Sequence, residues 1–105
     1  MITDEQINSI VSRLSSKFPI EDIYLFGSHA RKEENSDSDI DLCFTTRLGN
    51  RRKIDMMRDI RREINKTVNL PVDILVYDVE EFQQRSSHPN TLEHKILRDG
   101  TLLNE

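Results

Sequence analysis

The stretch Gly27-Ser28-His29-Ala30-Arg31-Lys32-Glu33-Glu34-Asn35-Ser36-Asp37-Ser38-Asp39-Ile40-Asp41-Leu42 joins two segments of opposite character. Before it, Ile23-Tyr24-Leu25-Phe26 is apolar at every position, the pattern of a strand buried on both faces, and Gly27 breaks it. At its end, Asp39 to Phe44 alternates. Asp39, Asp41 and Cys43 fall on one face of a strand, and Ile40, Leu42 and Phe44 on the other. Residues 29–38 have no apolar period and several turn formers, which predicts an exposed loop. Strand, polar turn, loop and strand set a small hydroxyl-bearing turn opposite a pair of carboxylates.

Outward from this centre, helices and strands alternate. Thr3-Asp4-Glu5-Gln6 has the form of a capping box. The apolar residues Ile7, Ile10, Val11, Leu14 and Phe18 then repeat at helical spacing until Pro19 closes the helix. Residues 47–67 read as a second helix, with Ile54, Met57, Ile60 and Ile64 on one side, ended by Asn69-Leu70-Pro71. Val72 to Tyr77 is a third alternating strand that turns Asp73 away from Val72, Ile74 and Val76. Asp78 is placed to cap a helix through Val79 and Phe82. A break at Ser86-Ser87-His88-Pro89-Asn90 precedes a last helix from Thr91 to Gly100, and Leu102 and Leu103 are available to dock a tail. The fold class is α/β (α+β), read as one domain over 1–105, with no repeat and no linker.

Composition narrows the function. With 35% hydrophobic and 32% charged residues, the chain is expected to be soluble with a modest core. No apolar run spans a bilayer and no signal segment is apparent, so neither a membrane partner nor secretion is expected. Cys43, the only cysteine, fits a reducing cytoplasm. A net charge of −4 argues against direct nucleic-acid binding. The stretch from Arg47 to Lys66 is nonetheless basic, and its charges are expected to form pairs such as Arg51/Asp55 and Asp59/Arg62 on a solvated helix face.

Strand residues two apart share a face, so Asp39 and Asp41 present both carboxylates to one surface. Adjacent carboxylates repel and are stable mainly beside cations, which makes a divalent metal their natural occupant. Asp73 supplies a third carboxylate from another strand. Such a triad suits two metal ions about 4 Å apart in an in-line displacement at phosphorus. Gly27 lets backbone approach a phosphate, Ser28 adds a hydroxyl and an N–H, and Arg31 can pair with phosphate oxygens. Taken alone, a Gly-Ser pair marks a turn and an Asp-x-Asp a strand edge; the spacing joins them. Other residues carry less. Asp37 and His29 read as loop residues, and His88 and His94 lack the partners of a zinc site. Cys43 reads as a buried thiol, and Tyr77 as core or a neighbour of a base.

Phe26-Gly27-Ser28, the intervening loop, and Asp39-Ile40-Asp41-Leu42 resemble the signature of the DNA polymerase beta-like nucleotidyltransferase superfamily, and within it the minimal nucleotidyltransferase (MNT) branch. The resemblance implies a small mixed sheet flanked by helices and transfer of a nucleoside monophosphate from a nucleoside triphosphate to a hydroxyl. It makes Asp39 and Asp41 the metal-binding carboxylates. Asp73 becomes the third ligand and the base, and Gly27 and Ser28 bind triphosphate. It implies Mg2+, two ions, with ATP as substrate. Minimal members act beside a helical HEPN-type toxin as the antitoxin of a type VII-like pair, placing AMP on a tyrosine of that partner in a hetero-oligomer. Two alternatives stand beside this reading: an antitoxin that neutralises by binding alone, and the catalytic lobe of a split enzyme acting on a small molecule.

Overall fold

The computed structural model describes residues 3–27 and 40–104. Helix α1 (Asp4–Lys17) leads into strand β1 (Ile20–Phe26), followed by β2 (Ile40–Thr46), α2 (Lys53–Thr67) and β3 (Val72–Asp78). Two short helices, α3 (Val79–Ser86) and α4 (Leu92–Asp99), precede strand β4 (Thr101–Leu102). The strands form one sheet in the order β3-β2-β1-β4. β1 pairs antiparallel with β2 and β4, and β2 pairs parallel with β3, so the sheet is mixed. A parallel neighbour needs a crossover, and α2 provides it. Among the described residues, no helix is long and apolar enough to cross a membrane.

Each face of the sheet has its own core. Ile23 and Leu25 of β1, Ile40, Leu42 and Phe44 of β2, and Val72, Ile74 and Val76 of β3 pack against α1 and α2 through Ile10, Leu14, Met56, Ile60 and Ile64. Phe44, with no exposed surface, is the largest fully buried side chain in this layer, and burial of a residue of this kind is worth about 1.5–3 kcal/mol. Residues of opposite parity, Tyr24, Cys43 and Tyr77, meet Phe82 of α3 and Ile96 of α4, with Phe26 and Leu75 packed against them. The expected alternation therefore holds on β2 and β3, and β1 is packed on both faces, as its unbroken apolar run implied. Tyr24 stacks on Phe82 with centroids 5.7 Å apart.

The expected helix starts are met at three of four helices. The Thr3 capping box forms in full, and the side chains of Asp78 and Thr91 cap α3 and α4. The second helix is the correction: it begins at Lys53 and not at Arg47. Arg47 lies just past the end of β2, with its N–H on the Pro19 carbonyl, and Leu48 N–H donates to Asp78 Oδ1 at 3.1 Å. A turn at Gly49 and Asn50 follows. The delayed start rearranges the expected pairs: Asp55 takes Arg52 and Arg58, while Arg51 joins Arg62 on Asp59. Arg51/Asp55 is thus replaced and Asp59/Arg62 kept.

The C-terminal tail does more than dock. Leu103 N–H donates to the Ile23 carbonyl, and the Asn104 side chain accepts from Ile23 N–H at 2.8 Å and donates to the Glu21 carbonyl at 2.9 Å. These bonds extend the pairing of β4 with β1, in which Leu102 lies opposite Tyr24 and Thr101 opposite Leu25. Gly100 admits this close approach, since a Cβ there would meet the Ile96 carbonyl oxygen at 2.5 Å and that of Leu25 at 3.3 Å.

Candidate functional site

β2 ties the site together. Asp41 lies opposite Phe26 on antiparallel β1 and beside Asp73 on parallel β3. Register partners on neighbouring strands share a face, and strands lie about 4.8 Å apart. Asp73, Asp41 and Phe26 therefore form one row across the end of the sheet, on the face that α3 and α4 cover further along. Asp73 is exposed and Asp41 half-buried, so the row opens to solvent where the helices stop. The structure thus places Asp73, from a segment distant in sequence, beside Asp41 on the neighbouring strand.

Gly27 follows Phe26 at the end of β1 with φ +77°, in the left-handed region that favours glycine. Space makes a second demand. A Cβ at position 27 would collide with Oδ2 of Asp41 and lie 3.3 Å from its Cγ. The turn backbone is thus in contact with the carboxylate. Ser28, Arg31 and Asp39, with Asp37 and His29, lie outside the described residues. Among the described residues, no group of three or more side chains that could hold a metal is assembled; Asp41 and Asp73 are the two sequence-predicted ligands within them.

Beneath the row the face is buried and braced. Cys43 has no exposed surface, and burial, helped by the nearby Glu93 carboxylate, pushes its thiol up to about 12. It is a neutral packing group, as the sequence suggested. Tyr77 donates its hydroxyl to Glu93 at 2.9 Å, inside the layer. Burial first, then that bond, raises the Tyr77 phenol, while burial first and then the Asp22 charge raise that of Tyr24. The Tyr77–Glu93 bond joins the strand that carries Asp73 to α4. Sequence reading missed Glu93, because a charged residue on a short helix reads as solvent-facing. His94 Nδ1 lies 2.8 Å from the Ser86 carbonyl, a structural contact between α3 and α4.

Beside Gly27 the surface sinks into a recess of about 190 Å³ between β1 and α4, with Phe26, Leu92, Lys95 and Ile96 in its walls. Sequence reading missed this too. The signal was the spacing of Leu92, Lys95, Ile96 and Asp99 on one side of a helix, masked because two of the four are charged.

Comparison with known proteins agrees with this geometry. The family model described as polymerase beta, nucleotidyltransferase, matches residues 8–105. No curated protein matches the chain. Among solved structures, a protein from Sulfolobus solfataricus described as a candidate nucleotidyltransferase is similar over 93% of this chain and 76% of its own, with 27% identity and a TM-score of 0.64. A toxin–antitoxin structure with AMP-PNP is similar at 16% identity and a TM-score of 0.58, covering 97% of this chain and 73% of that one. A mutant of the toxin–antitoxin MntA–HpeT, with two aspartates exchanged for glutamate, gives 14% and 0.55, over 97% and 72%. The last two likenesses are of fold.

Proposed function

The chain belongs to the polymerase beta nucleotidyltransferase family, and from that premise we propose that it transfers AMP from ATP to a hydroxyl acceptor. The observation that carries this reading is the register of Asp41 with Asp73, which sets two carboxylates side by side at an open sheet end, against a glycine turn. Asp39, two residues before Asp41, completes the carboxylate set. Gly27, Ser28 and Arg31 bind the triphosphate. In this proposal residues 1–105 act as a single nucleotidyltransferase domain.

The donors fit a hard divalent cation. Asp41 and Asp73 offer carboxylate oxygens from adjacent strands, one half-buried and one exposed, the ligand type Mg2+ prefers. Bound there, Mg2+, in two ions, would offset the charge of the carboxylates and the triphosphate. The chain's own residues do the rest. Asp73, the more exposed carboxylate, accepts the proton of the acceptor hydroxyl. The hydroxyl oxygen bonds to the α-phosphorus, the bond from that phosphorus to the bridging oxygen breaks, and pyrophosphate leaves on the Gly27 side. Asp41, packed on the Gly27 backbone, keeps its orientation through the step.

For the acceptor we propose a tyrosine of a helical HEPN-type toxin, with the chain acting in the cytoplasm as a type VII-like antitoxin within a hetero-oligomer. This rests on the likeness to minimal nucleotidyltransferases, and the shared fold with two toxin–antitoxin structures supports it. The test uses ATP labelled at the α- or the γ-phosphate, Mg2+ and a HEPN-type partner. Label from the α position on partner tyrosine supports the reading; γ-label on the partner, or α-label only on added small molecules, contradicts it.

A further inference from the structure

Asp41 and Asp73 are held by unlike means. Asp41 packs on the Gly27 turn. Asp73 stands near the start of β3, the edge strand of the sheet, and its carboxylate makes no hydrogen bond or ion pair among the described residues. Its aim therefore depends on the backbone that carries it. We propose that Arg61 of α2 is a positioning residue for Asp73, acting through the Val72–Asp73 peptide. The assignment rests on the transfer reading, in which Asp73 takes the proton of the acceptor, and adds to it the residue that holds this base in place.

Three observations carry it. The first is the bond. Arg61 Nη1 donates to the Val72 carbonyl at 3.2 Å, and that carbonyl shares a planar peptide unit with the Asp73 N–H. The second is direction. Successive carbonyls of a strand point to opposite sides, and the Pro71 carbonyl points to β2, where it accepts from Ile40 N–H. The Val72 carbonyl thus points to the outer edge of β3, where the sheet has no further strand among the described residues, and the Asp73 N–H points back to β2. The peptide ahead of Asp73 is pinned at both ends, by β2 and by Arg61. A cation on its carbonyl also polarises the unit and strengthens its N–H as a donor, which ties Asp73 to the strand of Asp41. The third is the choice of partner. Every other lysine and arginine from Arg47 to Lys66 lies within ion-pair distance of a carboxylate. Arg61, exposed on the same helix, reaches a main-chain carbonyl instead and forms no ion pair among the described residues. The start of an edge strand opens easily, and a catalytic group displaced by about 1 Å can cost about a hundredfold in rate.

Single-turnover transfer of α-labelled phosphate from ATP in Mg2+ to a HEPN-type partner tests the assignment. Arg61→Ala, at an exposed position, is expected to fold like the wild type by circular dichroism and to transfer at least about tenfold more slowly. Arg61→Lys, which keeps a donor of similar reach, should recover most of that loss. In an Asp73→Asn background, Arg61→Ala should slow transfer by less than about twofold, because an arginine that acts through Asp73 has no base left to position. Wild-type rates in Arg61→Ala, loss of its fold, no recovery in Arg61→Lys, or an equal fall in both backgrounds overturns the positioning role alone. The equal fall is what a bond that merely caps the edge strand would give. A wild-type chain that labels no partner, or Asp73→Asn at the wild-type rate, overturns the transfer reading beneath it.

Discussion

Asp41 and Asp73 are register partners on parallel strands, although α2 and its connections separate them in sequence. Parallel pairing sets their carboxylates on one face, and the two differ in surroundings: Asp41 is half-buried against Gly27, whereas Asp73 is exposed. That difference predicts a division of labour. Asp73→Asn keeps the shape of the site but removes the proton acceptor, and general base catalysis of this kind is worth about 10²–10⁴ in rate. The transfer rate should fall at least a hundredfold in Asp73→Asn, with Mg-ATP affinity weakened less than in Asp41→Asn, because the exposed Asp73 gives up one metal-binding carboxylate whereas Asp41 also gives up its packing on the Gly27 turn. Asp41→Asn should weaken both. Titration beside single-turnover kinetics separates the two outcomes, and identical profiles for the two variants would contradict the assigned roles.

Gly27→Ala places a Cβ at a positive φ and drives it against Asp41 Oδ2. The conformational part alone costs about 1–3 kcal/mol. A lower melting temperature is expected, together with loss of Mg-ATP binding because Asp41 must move aside. A variant as stable as the wild type that binds Mg-ATP normally would show that the turn does not hold the carboxylate.

Glu63 of α2 is buried beneath three cations. Arg13 and Lys17 reach it from α1 at 3.2 and 3.0 Å, and Lys66 from its own helix at 3.4 Å. The hydrogen bond from Lys17 leads, with those from Arg13 and Lys66 behind it, in holding its carboxyl down to about 2, from an ordinary value of 4.5. Because the folded value is the lower one, this clasp contributes fully above about pH 4.5 and is lost as pH falls toward 2. Glu63→Gln should therefore melt below the wild type at pH 7, with the gap closing as pH drops below 4.5. A gap constant from pH 7 to pH 3 would remove Glu63 ionisation as its cause.

Tyr77→Phe leaves the buried Glu93 carboxylate without its hydroxyl donor. An unsatisfied buried group costs about 1–3 kcal/mol, which for a chain of this size lowers the melting temperature by several degrees. Glu93→Leu in the Tyr77→Phe background removes the stranded charge and should restore part of the loss. If the double variant is less stable than the sum of the two single changes, the bond is not what joins β3 to α4.

Much of this was legible from local patterns. Alternation in Ile40–Phe44 and Val72–Tyr77 told which side chains meet α1 and α2, and the Thr3, Asp78 and Thr91 caps marked helix starts. Parity also put Asp73 on the Asp41 face, since a two-residue period survives any register that buries Ile40 and Val72. What was not legible depends on partners remote in sequence. The start of α2 follows the reach of Leu48 to Asp78, and β4 depends on its pairing with Tyr24 and Leu25, extended by Asn104 on the backbone of Ile23 and Glu21. Glu93 and Lys95 looked like surface charges because nothing local says that Tyr77 lies over one and a recess beside the other. Gly27 was chosen for its approach to phosphate; the structure adds its contact with Asp41.

The most direct measurement is transfer of α-labelled phosphate from ATP to a HEPN-type partner in Mg2+, with wild type, Asp41→Asn and Asp73→Asn compared at equal concentration. The account predicts labelled tyrosine on the partner with the wild-type chain, and labelling at least a hundredfold slower with either variant, both still folded. Labelling at wild-type rates by both variants would contradict it.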